Sequence, residues 1–171
     1  MPLSMYQVSV PIFQRHLACL SAILDKGAQH ARARKIEPSV LLQTRLYPDM
    51  FPLVNQVQLS TDFANRASAR LAGVDLPPSS DTETSFDELK TRIAGTIDFV
   101  SSLRREQFEG SEDKDLLIPM GPRGTVPYKG GDYLLSFALP NFFFHVTTSY
   151  DILRHCGVEL TKMDFMAPPP S

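Results

Sequence analysis

Residues 131–157, GDYLLSFALPNFFFHVTTSYDILRHCG, decide how the rest of the chain is read. The stretch has the length and apolar content of one long helix, with Pro140 in its middle and Asn141 and His145 just after it. Residues four apart stack on one helical face. In helical steps that face runs Leu134, Ala138, Asn141, His145, Thr148 and Ile152, a core stripe with polar groups at its centre. A buried imidazole beside a buried amide requires hydrogen-bond partners, or it serves as a site. Pro140 has no amide hydrogen, so the Ser136 carbonyl is expected to stay free and the helix to bend beside the polar pair.

Three further segments carry the apolar period needed to pack against this helix. Residues 4–34 place Phe13, Leu17, Leu20, Leu24, Ala28 and Ala31 at steps of three and four. Ser4 can cap that helix, and Pro11 predicts a bend or a late start. His16 lies at the edge of the stripe and reads as a satisfied or half-exposed histidine. Residues 52–72 open on a first-turn proline and stop at Gly73, with Gln56 on the inward face. Ser85-x-x-Glu88 is a capping box that opens a helix to about residue 103, with Phe86, Leu89, Ile93, Ile97 and Val100 inward. Gly95 costs that helix up to about 1 kcal/mol, which predicts close packing against a neighbour.

Between the first two helices, residues 35–52 carry the string RLYPDMFP. Pro38, Pro48 and Pro52 exclude a regular helix interior, yet the segment is rich in Leu, Tyr, Met and Phe. It is expected to fold across one end of the helices and close a pocket, with Arg45, Tyr47 and Asp49 at the mouth. Residues 115–118 and 125–128 flank PMGPRG and read as a short β-hairpin, too small to be stable unless it lies on the helices. The fold class is therefore all-α: a four-helix bundle with a short β-hairpin before the last helix, one domain over residues 1–166, and a disordered tail at 167–171.

Composition excludes several functions. The chain has 171 residues, 43% hydrophobic and 21% charged, with a formal charge of −2. That suits a single soluble domain. No Lys/Arg stripe invites nucleic acid; Arg32, Arg34 and Lys35 stand at a helix C-terminus, where cations favour the dipole. Cys19 and Cys156 form no CxxC pair and no disulfide framework. The start of the chain lacks the apolar run of a signal peptide, and the longest apolar segment is too short to cross a bilayer. A cytoplasmic protein with no membrane partner is expected.

The strings SMYQVSVPIFQRHL, RLYPDMFPLVNQVQ, LPNFFFHVTTSYDILRHCGVEL and KMDF together resemble a domain-of-unknown-function branch of the DinB-like (YfiT-like) four-helix bundle superfamily. The resemblance covers nearly the whole chain. It implies the bundle fold and, commonly, a homodimer. It also implies a divalent metal held by one histidine of the second helix and an HxxxH pair of the last, a site that some relatives use to transfer small thiols. In this chain His145 matches the second histidine of that pair. Asn141 replaces the first, and Gln56 falls near the second-helix position. Neutral amides are poor ligands for Zn²⁺ or Ni²⁺, so no metal or other cofactor is expected.

A vacated metal cavity can become a substrate pocket. His145 is the acid/base candidate, because its unperturbed pKa lies near neutrality, with Asp49 to orient it or carry a second proton. Arg45 is a candidate for an enolate oxygen, Gln56 and Asn141 for carbonyls, and Tyr47, Phe51 and Phe144 for apolar walls. The set suits proton transfer next to a carbonyl, such as keto–enol isomerisation or epimerisation of an aromatic or polyketide-like compound. Hydride and phosphoryl transfer lack their dinucleotide and P-loop motifs, and no serine stands in a nucleophile elbow. Two other functions remain open: a divalent-metal-dependent transferase, and a non-catalytic ligand-binding or dimeric interaction module. A purely structural account is a buried network, left from a lost metal centre, that fixes helix register.

Overall fold

Residues 3–166 are described by a computed structural model; the expected tail at 167–171 lies outside the described residues. The elements in chain order are α1 (Val10–Arg34), α2 (Pro38–Leu42), α3 (Leu53–Ala72), α4 (Phe86–Ser102), β1 (Asp115–Pro119) and β2 (Thr125–Lys129). The one-turn α5 (Gly130–Asp132), a π-helical segment (Tyr133–Ala138), α6 (Leu139–His155) and α7 (Lys162–Phe165) complete it.

Local chemistry sets most boundaries. Residues 5–9 form turns, and α1 starts late, with Pro11 in its first turn where a missing amide costs nothing. The helix ends on Lys35 in the left-handed region, φ 55°. α3 stops at a Gly73 cap at φ 69°, as predicted, while Pro52 stands one residue outside the helix as its extended N-cap rather than in the first turn. Both capping-box bonds of α4 are made, Glu88 N–H to Ser85 Oγ at 3.2 Å and Ser85 N–H to Glu88 Oε2 at 3.0 Å. One expectation fails in the connection: α2 is a short helix, because Pro38 occupies its first turn rather than its interior.

α1 and α3 each pack on both α4 and α6, so the ring runs α1–α4–α3–α6, with α1 and α3 facing across the centre. The α1–α3 connection therefore crosses the bundle end, and Leu41 and Leu42 of α2 are buried there. Phe13 and Phe142 meet edge to face at 5.0 Å in the interior. Burying each ring stabilises the fold by about 1.5–3 kcal/mol. The hairpin lies on the bundle as expected. It pairs Asp115 with Lys129 through Pro119 with Thr125, burying Leu116 and Ile118 and leaving Leu117 outside.

Two sequence expectations are corrected. A Cβ placed on Gly95 would meet nothing within 4 Å, so this glycine is not a close-packing site; it faces open space. Before Pro140 the last helix does not simply bend. Residues 133–138 widen to π register, Leu139 N–H reaching Leu134 O, and α6 restarts at Leu139. The widened turn puts Pro140 in a first helical turn, where no donor is required.

Candidate functional site

α6 and α3 pack side by side and bring His145 to Gln56. His145 Nδ1 lies 2.7 Å from Gln56 Oε1. Gln56 Nε2 donates to the Phe51 carbonyl at 3.0 Å, so its Oε1 is the free acceptor end and His145 Nδ1 must carry the proton. The ring is therefore the Nδ1–H tautomer, and Nε2 holds the lone pair. No protein group among the described residues bonds Nε2, which keeps contact with solvent. The residue as a whole is 8% exposed.

Two aromatic rings contact the imidazole. Phe63 stacks on it at 5.6 Å and 18°, and Phe144 meets it edge-on at 5.3 Å. Ser149 Oγ donates to the His145 carbonyl at 2.9 Å. Burial takes the imidazole pKa from 6.5 to about 4, since the charged ring loses its hydration without a carboxylate to repay it. His145 is neutral at pH 7.

The loop before α3 is a closed turn. Arg45 Nη1 donates to the carbonyls of Pro48 and Met50, at 3.5 and 3.1 Å, and Leu53 N–H closes the base on Thr44 O at 2.9 Å. Arg45 thus shapes the loop, and its guanidinium is turned onto loop carbonyls. Tyr47, Phe51 and Phe144 are exposed where an enclosed wall was expected, and of the three rings Phe144 contacts the imidazole. Asp49 is exposed on the same turn and makes no hydrogen bond with His145; Gln56 takes the orienting place suggested for it.

Asn141 shares the His145 face by spacing but does not join the pair. Its Nδ2 donates instead to the carbonyl of Phe137, four residues back on its own helix, at 2.7 Å. Phe63 was missed as a site residue. It stands seven residues after Gln56, two turns along the same helical face, which was the available signal.

The donors do not fit the divalent metal that the bundle resemblance implies. Gln56 Oε1 is taken by the imidazole and Asn141 is turned back on its own helix. Among the described residues no three His, Cys, Asp or Glu side chains gather as a metal site. Among the same residues no helix is long and apolar enough to cross a membrane.

The family described as "Domain of unknown function (DUF1993)" matches residues 5–166. The crystal structure of a DinB family member protein from Shewanella denitrificans is similar to this chain at a TM-score of 0.90 and 34% identity. The match covers 98% of this chain and 94% of that one. No curated protein matches significantly.

Proposed function

The chain belongs to the DUF1993 family, with a DinB-like fold, and on that footing we propose that it is a small-molecule acid/base enzyme working through His145. One observation carries the proposal: the 2.7 Å bond to Gln56, which puts the proton on Nδ1 and leaves the Nε2 lone pair without a protein partner among the described residues. A pKa of about 4 keeps the base form fully populated at neutral pH. It also makes the imidazole a weak base, which narrows the substrate. Such a base removes a proton only from a carbon already acidified, as between two carbonyls or beside a carbonyl and an aromatic ring.

The reaction in this reading is isomerisation or epimerisation of an aromatic or polyketide-like carbonyl compound. The C–H bond breaks toward Nε2, its electron pair enters the enolate, and the proton returns at another position or face. Asp49 is the second proton carrier. Tyr47, Phe51 and Phe144 hold the apolar body of the substrate, and Asn141 and Gln56 border it. The superfamily resemblance adds a homodimer, which light scattering of the untagged chain tests directly; a monomer mass removes it.

Proton transfer can be tested without knowing the substrate. Acetylacetone and phenylpyruvate are incubated with the protein in D₂O, and loss of the α-proton signal is followed by NMR. Exchange faster than buffer is expected, falling about 10²-fold or more in His145→Gln. Equal exchange by that variant, or none above buffer with either probe, removes the reading.

A further inference from the structure

The proton on His145 Nδ1 is set by a carbonyl that lies outside the bundle helices. Gln56 Nε2 donates to Phe51 O at 3.0 Å, and Gln56 Oε1 accepts from His145 Nδ1 at 2.7 Å. Were the amide turned over, its oxygen would face the Phe51 carbonyl, two acceptors with no hydrogen between them. Its NH₂ would then point at Nδ1 and require a lone pair there, so the imidazole proton would sit on Nε2. The protonated nitrogen of a histidine is fixed by the hydrogen bonds of its ring. Here those bonds follow from where Phe51 O stands.

Packing does little to hold that carbonyl in place. Among residues 43–51 no side chain is buried, and Tyr47 and Phe51 are 66% and 58% exposed. Backbone bonds close the turn, Met50 N–H to Tyr47 O at 3.0 Å and Leu53 N–H to Thr44 O at 2.9 Å. Between them Arg45 Nη1 reaches Met50 O at 3.1 Å and Pro48 O at 3.5 Å. Met50 O belongs to the peptide that leads into Phe51, so the guanidinium grips the unit beside the one that Gln56 uses. Apart from Gln56, Arg45 is the one side chain among the described residues that bonds the backbone of 43–51. Its charge makes the bond to a carbonyl stronger than a neutral donor would.

We propose that Arg45 is a positioning residue: by gripping the 44–53 turn it keeps the Phe51 carbonyl on Gln56, and through Gln56 it keeps the His145 proton on Nδ1 and the basic lone pair on Nε2. The consequence for catalysis rests on the reading of His145 as the base, whereas the tautomer is measured without any substrate.

Imidazole ¹⁵N shifts of the labelled full chain at about pH 7.5 report the tautomer, and His145→Gln identifies the His145 pair by its loss. The wild type should show a protonated Nδ1 and an unprotonated Nε2. Arg45→Ala, an exposed change, should pull the two signals toward each other as the second tautomer becomes populated. Arg45→Lys can still donate and should restore most of the separation. Leu46→Ala, on the same turn with no polar group to lose, should leave the signals in place. In the D₂O exchange assay Arg45→Ala should lose rate in step with the fraction of Nε2 that is protonated. Nε2–H in the wild type, unmoved signals in Arg45→Ala, or equal movement in Leu46→Ala overturns the assignment. Movement in Arg45→Ala alone, with no probe proton exchanged by the wild type, upholds Arg45 and removes His145 as the base.

Discussion

His145→Gln should alter the pH dependence of stability more than stability itself at pH 7.5. In the unfolded chain the imidazole protonates near its ordinary value of 6.5; in the fold it does so near 4, because burial strips its hydration. Between those values the unfolded state binds more protons, so stability falls as pH falls. At about 1.4 kcal/mol per pH unit, the full gap is worth about 3 kcal/mol, of which about 2 kcal/mol is already lost at pH 5. Glutamine cannot titrate, and its amide can still donate to Gln56 Oε1. Urea unfolding of both proteins at about pH 7.5 and pH 5 isolates the effect, since His16 and the carboxylates are common to both and cancel. The wild type should lose about 2 kcal/mol more than the variant across that interval. Equal losses would show that the ring is not desolvated, and would take with them the neutral, Gln56-held base.

Gln56→Glu should raise the His145 pKa toward or above neutrality, since a carboxylate 2.7 Å from Nδ1 favours the imidazolium; an NMR titration of the ring protons reads it, and an unmoved midpoint contradicts the contact. Gly95→Ala should stabilise the chain by up to about 1 kcal/mol, because the new Cβ touches nothing and helix propensity improves; a lower urea midpoint would contradict the open space there. Gly130→Ala should cost about 1–3 kcal/mol by thermal or urea unfolding, since its Cβ would fall on the Ser111 carbonyl oxygen, part of the backbone that cannot swing aside.

What the sequence reveals divides along the range of the interactions. The Ser85–Glu88 box and the Gly73 stop depend on neighbours within four residues, and each stands where local chemistry puts it. The stripe through Leu134, Ala138, His145, Thr148 and Ile152 is likewise buried, because a helix has only one face to offer. The open space at Gly95 was legible too: two residues from Ile93, it stands on the side of α4 opposite Phe86, Leu89, Ile93 and Val100. The Asp62–Arg92 pair spans thirty residues, and charge spacing within either helix contains no hint of it. Asn141 has the expected spacing, but its amide bonds locally, to the carbonyl four residues back, rather than reaching His145.

The fate of Asn141 sharpens the choice between a structural remnant and a working site. A network retained only to fix helix register is at its best when every polar end is paired, because a partly satisfied buried network costs more than an apolar one. Asn141 and Gln56 meet that description: each amide has a near partner, and Gln56 bridges the Phe51 carbonyl to His145. His145 does not. Its Nδ1 is committed, two aromatic rings contact it, and its second nitrogen has no protein partner among the described residues. Filling this space with an apolar side chain would spare the desolvation that pulls the ring toward pKa 4. A neutral imidazole with one nitrogen left for an outside molecule is what the proposed general base requires.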